Sequence, residues 1–184
     1  MSEPYPEARS EDGHLGLWEF ALDFYRREGV ADACLELQDV AGVDVNILIY
    51  ALWRVIARQE DVDPSDIERA DALVSDWRRD VVLPLRALRR GLKNGPSPAP
   101  SPSSEKLRGR IKAAELDAEH IELDTLERSL PSRPRDGREF DVTQRAEVAI
   151  WRVIDHYKVA GAAVLSDAVA ALIQAVPAET EATG

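Results

Sequence analysis

One run of the chain, residues 44–58, constrains the fold most, because it is apolar on every side of the helix that it would form. From Ile47 to Trp53, and again at Val55 and Ile56, it leaves almost no polar face. A helix that is apolar all round has to be enclosed by other elements. The sequence therefore predicts a buried central helix, surrounded by amphipathic neighbours.

The neighbouring segments have the one-sided pattern that such neighbours need. Apolar residues recur at helical spacing in 17–25 and in 33–41, and a longer stripe runs from Ile67 to Leu92 in steps of three and four. Pro84 lies inside that stripe, where it should distort the helix because it removes a backbone donor. No alternating pattern typical of strands occurs. These observations predict an all-α fold, a compact bundle of five to six helices.

The order of segments predicts one domain with a single interruption. We expect a helical domain over residues 13–176, broken by a flexible linker at 95–104, with disordered ends at 1–12 and 177–184. The linker is rich in Pro and Ser, a composition that cannot pack a core.

After the linker, a helix predicted over Glu105–Leu130 has two apolar stripes. One contains Leu107, Ile111, Ala114, Ala118 and Ile121, and the other contains Leu116, Leu123 and Leu130. A small domain easily buries one stripe per helix, but a second stripe needs another surface. We therefore expect Leu116, Leu123 and Leu130 to cover a second copy of the chain or a partner helix.

Charge is segregated along the chain. The net charge is −11, yet residues 77–112 contain ten basic and two acidic side chains. Overall acidity repels phosphate, and no aromatic and basic platform accompanies the basic region, so nucleic acid is an unlikely partner. The acidic start, with no apolar signal core, and the absence of a long apolar span indicate a cytoplasmic protein that does not insert into a membrane.

The basic region contains a regular basic face. Arg79, Arg86, Arg90 and Lys93 step by seven, four and three residues along one side of the predicted fourth helix. The simpler interpretation pairs this face with acidic helices of the same chain. The alternative is a docking face for an acidic protein segment or a phosphate-bearing ligand.

A polar junction precedes the central helix. It consists of Glu36, Gln38, Asp39, Asp44 and Asn46. The structural interpretation is that Asp44 caps the central helix, the amides of Gln38 and Asn46 tie down the loop, and Asp39 pairs with an arginine of the fourth helix. The functional interpretation is the floor of a polar site, in a small-ligand-binding protein or an enzyme, that binds a small ligand or a divalent ion; its oxygen ligands would suit magnesium or calcium.

Catalytic and metal-binding patterns are weak throughout. Asp117 and His120 share a helix face, but di-metal helical sites use Glu in that position and in duplicate. Neither a phosphate-binding glycine loop nor a Cys-x-x-Cys pair occurs. We therefore predict no catalytic residues, no metal and no cofactor.

Several strings resemble a known group of proteins. They are Leu17-Trp-Glu-Phe-Ala-Leu, Ala33-Cys-Leu-Glu-Leu-Gln-Asp, Val43-Asp-Val-Asn, Val81-Val-Leu-Pro-Leu-Arg-Ala-Leu-Arg-Arg and Ala113-Ala-Glu-Leu-Asp-Ala-Glu. Over residues 15–125 the chain resembles an uncharacterised proteobacterial family of small cytosolic helical proteins, a domain of unknown function. The resemblance implies no activity.

The function expected from the residues is that of a non-enzymatic cytosolic adaptor or regulator that binds proteins through its helices. Its partner is either itself or an acidic protein. The alternative is a small-ligand-binding protein or enzyme with its site at the junction between Gln38 and Asn46.

Overall fold

The computed structural model describes residues 15–131, 141–157 and 165–177. Its helices are α1 (Leu17–Tyr25), α2 (Val30–Ala41), α3 (Val45–Ile56), α4 (Pro64–Trp77), a π-helical segment (Arg78–Val82), α5 (Leu83–Gly91), α6 (Pro102–Ser129), α7 (Val142–His156) and α8 (Ser166–Gln174). These described ranges contain no strand, so the all-α prediction is confirmed.

The chain forms two compact units. The first comprises Met1–Glu68 and Leu130–Gly184, and the second comprises Arg69–Ser129. The boundaries lie inside α4 and at the end of α6, whereas the sequence placed its one interruption at 95–104. The predicted disordered ends, 1–12 and 177–184, lie outside the described residues except for Pro177.

In the first unit, α3 is the central helix. Every residue from Ile47 to Val55 is buried, and Leu48, Ile49, Ala51 and Leu52 are fully covered. It packs mainly against α7 and also against α1, while α2 packs against α8. The prediction of a buried central helix is confirmed, since neighbours cover an element that has no face suited to water.

In the second unit, α5 and the π-helical segment pack against α6. The π-helical segment ends at Val82, two residues before Pro84. The amide of the next residue, Leu83, donates to the carbonyl of Arg78, five residues back. A proline crowds the carbonyl four residues before it, which here belongs to Asp80. The wider turn is the distortion that Pro84 was predicted to cause.

The helix α6 begins earlier than predicted, inside the expected linker. The Ser104 amide donates to Ser101 Oγ at 3.2 Å, and the Ser101 amide donates to Ser104 Oγ at 2.7 Å. This reciprocal cap, followed by Pro102 at the first helical position, fixes the start of the helix. Residues 102–104 are therefore helical.

Candidate functional site

The polar junction between α2 and α3 is built around two helix ends. Gly42 has a φ of 62°, and its amide donates to the carbonyl of Gln38 at 3.0 Å, which closes α2. Asp44 Oδ1 then accepts from the amides of Asn46 at 2.8 Å and Ile47 at 3.1 Å. The structural interpretation of Asp44 as the cap of α3 is confirmed.

The other junction residues are all at least partly open to solvent, and Asp39 makes no ion pair with a described residue, contrary to its predicted pairing with an arginine. Asp39 is exposed, and Glu36, Gln38 and Asn46 are each half-buried. Asp44 has its carboxylate committed to the helix start, which leaves less of the cluster for a ligand. Ligand binding at the junction stays a prediction.

A second polar cluster in the first unit was missed at the sequence level. Arg54 is 3% exposed although it lies in the apolar central helix. Its Nη1 donates to Tyr50 Oη at 2.6 Å, and its guanidinium pairs with buried Glu60 in the loop after α3. The one sign of this cluster in the sequence is Arg54 itself, the single charged residue in the apolar run 47–56.

Two further arginines hold the same loop. Arg145 on α7 donates from Nη2 to the carbonyl of Glu60 at 2.7 Å and from Nε to Asp61 Oδ1 at 2.9 Å. Arg152 donates to the carbonyl of Val62. Arginine suits this task because its five donors can satisfy buried carbonyls that water cannot reach.

The pKa values of Tyr50 and Arg54 are shifted by burial and by each other. Burial raises the pKa of Tyr50, although the nearby Arg54 opposes that shift. Burial would lower the pKa of Arg54, but Tyr50 and Glu60 outweigh it and the pKa is raised. Both groups keep their ordinary protonation at neutral pH, so the cluster is suited to fixing the loop rather than to moving protons.

In the second unit, the predicted basic face does not form one surface. Arg79 is exposed and pairs with its neighbours, 2.6 Å from Asp76 and 2.7 Å from Asp80. Arg86 reaches across to α6, where its Nε donates to Glu115 Oε1 at 3.0 Å and its Nη2 pairs with Glu119.

Arg89 joins the same cluster. Its Nε contacts Glu115 Oε2, and its Nη2 donates to Glu115 Oε1 at 3.1 Å. Burial would raise the pKa of Glu115, whose side chain is 7% exposed, but hydrogen bonds from Arg89 and Arg86 lower it. The self-pairing interpretation is therefore confirmed for Arg86.

Arg90 and Lys93 remain exposed at the end of α5. Neither makes an ion pair with any residue that the structure describes. They are the part of the predicted basic face that is left for a partner.

Beside them, α5 presents an apolar face. No residue of α5 is buried. Leu83 is 46% exposed and Leu88 is 52% exposed, with Pro84 and Ala87 exposed between them. Single exposed apolar residues are common on proteins, whereas these four lie close together on one helix. We call Leu83, Pro84, Ala87 and Leu88, with Arg90 and Lys93, the α5 face.

The three leucines predicted to cover a partner are not brought together. Leu116 is 48% exposed, Leu123 is 2% exposed, and Leu130 is half-buried. Leu123 is part of this chain's own core, so the three cannot form one exposed stripe. The expectation that they act together as a docking surface does not fit this arrangement.

The described residues bear on two kinds of chemistry, metal binding and thiol reactivity. Within residues 15–131, 141–157 and 165–177, no group of three His, Cys, Asp or Glu side chains could hold a metal ion. Cys34 is buried, and burial raises the pKa of its thiol to about 12. A thiol in that state is a poor nucleophile at neutral pH.

No helix in the described part of the chain combines the length and apolar character needed to cross a bilayer.

Comparison with known proteins gives one result. Residues 16–126 match the model of a family described as a protein of unknown function, DUF2390. These residues cover α1 to α5 and most of α6, including the junction, the loop between α3 and α4, and the α5 face. No curated protein and no solved structure matches the chain.

Proposed function

The chain belongs to DUF2390, a family of unknown function, so we propose a function from its own geometry: a non-enzymatic adaptor or regulator that binds an acidic helix of another protein. The α5 face carries the proposal. It combines exposed apolar side chains with two cations, Arg90 and Lys93, that have no ion-pair partner in the described residues.

The α5 face has the composition of a helix-binding surface. Leu83 and Ala87 are four residues apart, as are Pro84 and Leu88, so they form two adjacent rows along one side of the helix. An amphipathic partner helix can lay its apolar side over these rows, as in other helix-mediated complexes. The apolar contact would supply most of the affinity.

Charge defines the partner further. Arg90 lies seven residues after Leu83, on the same line of α5 and near its C-terminus, where cations are favoured, and Lys93 follows in the turn after the helix. A partner helix with Asp or Glu beside its apolar side would meet them. Such rim charges contribute more to orientation and association rate than to affinity.

The proposed setting is the bacterial cytoplasm, which suits a chain whose single cysteine is buried.

Photo-crosslinking from the α5 face tests the proposal. A photoreactive residue at Leu88 should capture an acidic helical protein in cells that express the chain. The matched control is Leu35 on α2, which is 50% exposed but is flanked on the same side by exposed Asp32 and Asp39, three residues before it and four after it. The captured protein should bind the purified chain, and Arg90→Glu with Lys93→Glu should weaken that binding at least tenfold.

Both substituted residues are exposed, so the variant should keep its helicity and melting temperature. Equal capture from Leu88 and Leu35, or a purified complex that the double charge reversal does not weaken, would contradict the proposal.

A further inference from the structure

An exposed apolar stripe runs along α6, on a different side of that helix from Glu115 and Glu119, which meet α5. Leu107, Ala114 and Ile121 are spaced seven residues apart and therefore lie on one line. Leu107 and Ile121 are each 48% exposed, and Ala114 is also exposed. At 1.5 Å per residue the line is about 21 Å long, close to four helical turns.

Two opposite charges flank this line on the same side. Arg110 and Asp117 are both exposed, and neither makes an ion pair within the described part of the chain. They are seven residues apart, about 10 Å along the helix axis. Helical ion pairs form at separations of three or four residues, so these two cannot satisfy each other within one helix.

We propose that Leu107, Arg110, Ala114, Asp117 and Ile121 form a self-association surface, on which a second copy of the chain packs its own α6 in the antiparallel direction. A two-fold axis at Ala114 places Leu107 of one copy opposite Ile121 of the other, twice. The same axis sets Arg110 beside the other copy's Asp117, again twice. The small side chain of Ala114 lets the two helices approach closely where they cross.

The pattern selects both the direction and the occupant. A parallel pair would set Arg110 against Arg110 and Asp117 against Asp117, and like charges in contact oppose association. The antiparallel pair matches apolar with apolar and cation with anion using one sequence. Such self-complementarity is the property of a closed two-fold interface. The stripe thus needs no second kind of protein to satisfy it.

Cysteine cross-linking tests the position of the axis. In the full chain, Ala114→Cys should form a disulfide-linked dimer with oxidised glutathione at micromolar protein concentration. The matched control is Ala113→Cys, which is also exposed but points about 100° away round the helix. Cys34 is buried in both variants. Covalent dimer should form at least ten times faster with Ala114→Cys, and equal rates would overturn the proposal.

A charge exchange tests the antiparallel direction. Arg110→Asp alone and Asp117→Arg alone should each weaken dimerisation, measured by sedimentation velocity over a concentration series. The double variant, Arg110→Asp with Asp117→Arg, should restore it. Single variants as dimeric as the parent, a double variant that stays monomeric, or a parent chain that is monomeric throughout the series would each overturn the proposal.

This surface is independent of the α5 face. Arg110→Asp should leave photo-crosslinking from Leu88 unchanged, so failure of self-association and failure of the proposed function give different results.

Discussion

Replacing Glu115 by Ala should destabilise the protein by about 2–4 kcal/mol. Glu115 is 7% exposed and accepts hydrogen bonds from two arginines, Arg86 at 3.0 Å and Arg89 at 3.1 Å, with a further contact from Arg89 Nε. Removing one member of a buried ion pair costs about 3–5 kcal/mol, because the remaining charge is left uncompensated.

The expected loss is below the top of that range for two structural reasons. Arg86 keeps its contact with Glu119, and the side chains of Arg86 and Arg89 are 19% and 26% exposed, so water can replace part of what is lost. Glu115→Gln keeps the size of the side chain but removes its charge. It should cost about half as much as Glu115→Ala, since a neutral acceptor makes weaker hydrogen bonds to guanidinium.

The measurement is urea unfolding followed by circular dichroism, with a matched ion pair as control. Asp80 also pairs with an arginine, but its side chain is 62% exposed and that of its partner Arg79 is 63% exposed. Asp80→Ala should give no measurable change, because water screens exposed pairs. If Glu115→Ala is as stable as the parent chain, or Asp80→Ala is equally damaging, the reasoning that burial strengthens the α5–α6 cluster is refuted.

Three further outcomes are expected. The pKa of Glu115 is lowered in the folded chain, so its contribution to stability is complete above the unfolded pKa near 4.5 and is lost as the pH falls through the folded pKa. In urea unfolding below pH 4.5, the free energy of unfolding of Glu115→Gln should therefore fall less steeply with pH than that of the parent chain. Asp44→Ala should cost about 0.5–2 kcal/mol in the same assay through loss of the α3 cap, with exposed Asp39→Ala as the unaffected control; no effect at Asp44 would contradict the cap. Cys34, with its pKa raised to about 12 by burial, should react with iodoacetamide at neutral pH only as fast as the protein unfolds, and labelling that does not slow with added stabilising osmolyte would argue against that.

The sequence was sufficient to predict a helix where burial is its only stable arrangement. The central helix α3 has no polar side, so burial was its only stable arrangement, and Asp44 was identifiable as a cap because it directly precedes that run. The distortion at Pro84 was equally local, since it follows from one missing donor and one crowded carbonyl.

Contacts between distant segments could not be read in the same way. Arg86 pairs with Glu115, which is 29 residues further along the chain, and Arg145 pairs with Asp61 across 84 residues. The sequence shows many acidic side chains that could serve each arginine. Only the packing of the helices decides which of them is near, so the self-pairing of the basic face was predictable in kind but not in its partners.

The apolar residues that α6 exposes are not the three that the sequence predicted for a partner. Periodicity favoured burial of Leu107, Ala114 and Ile121, yet all three are exposed, while Glu115 and Glu122 are buried. Glu115 meets Arg86 and Arg89 from α5, and Ile111, Ala118 and Leu126 are buried on the neighbouring sides of α6. Ion pairing and apolar packing thus share one side of the helix, and part of its apolar surface is left outside. That exposed apolar surface is the stripe on which we propose that the second copy packs. Glu115→Gln weakens the ion pairs between α5 and α6 and should give α6 more freedom to rotate. The substitution should therefore also lower the rate at which Ala114→Cys forms its disulfide.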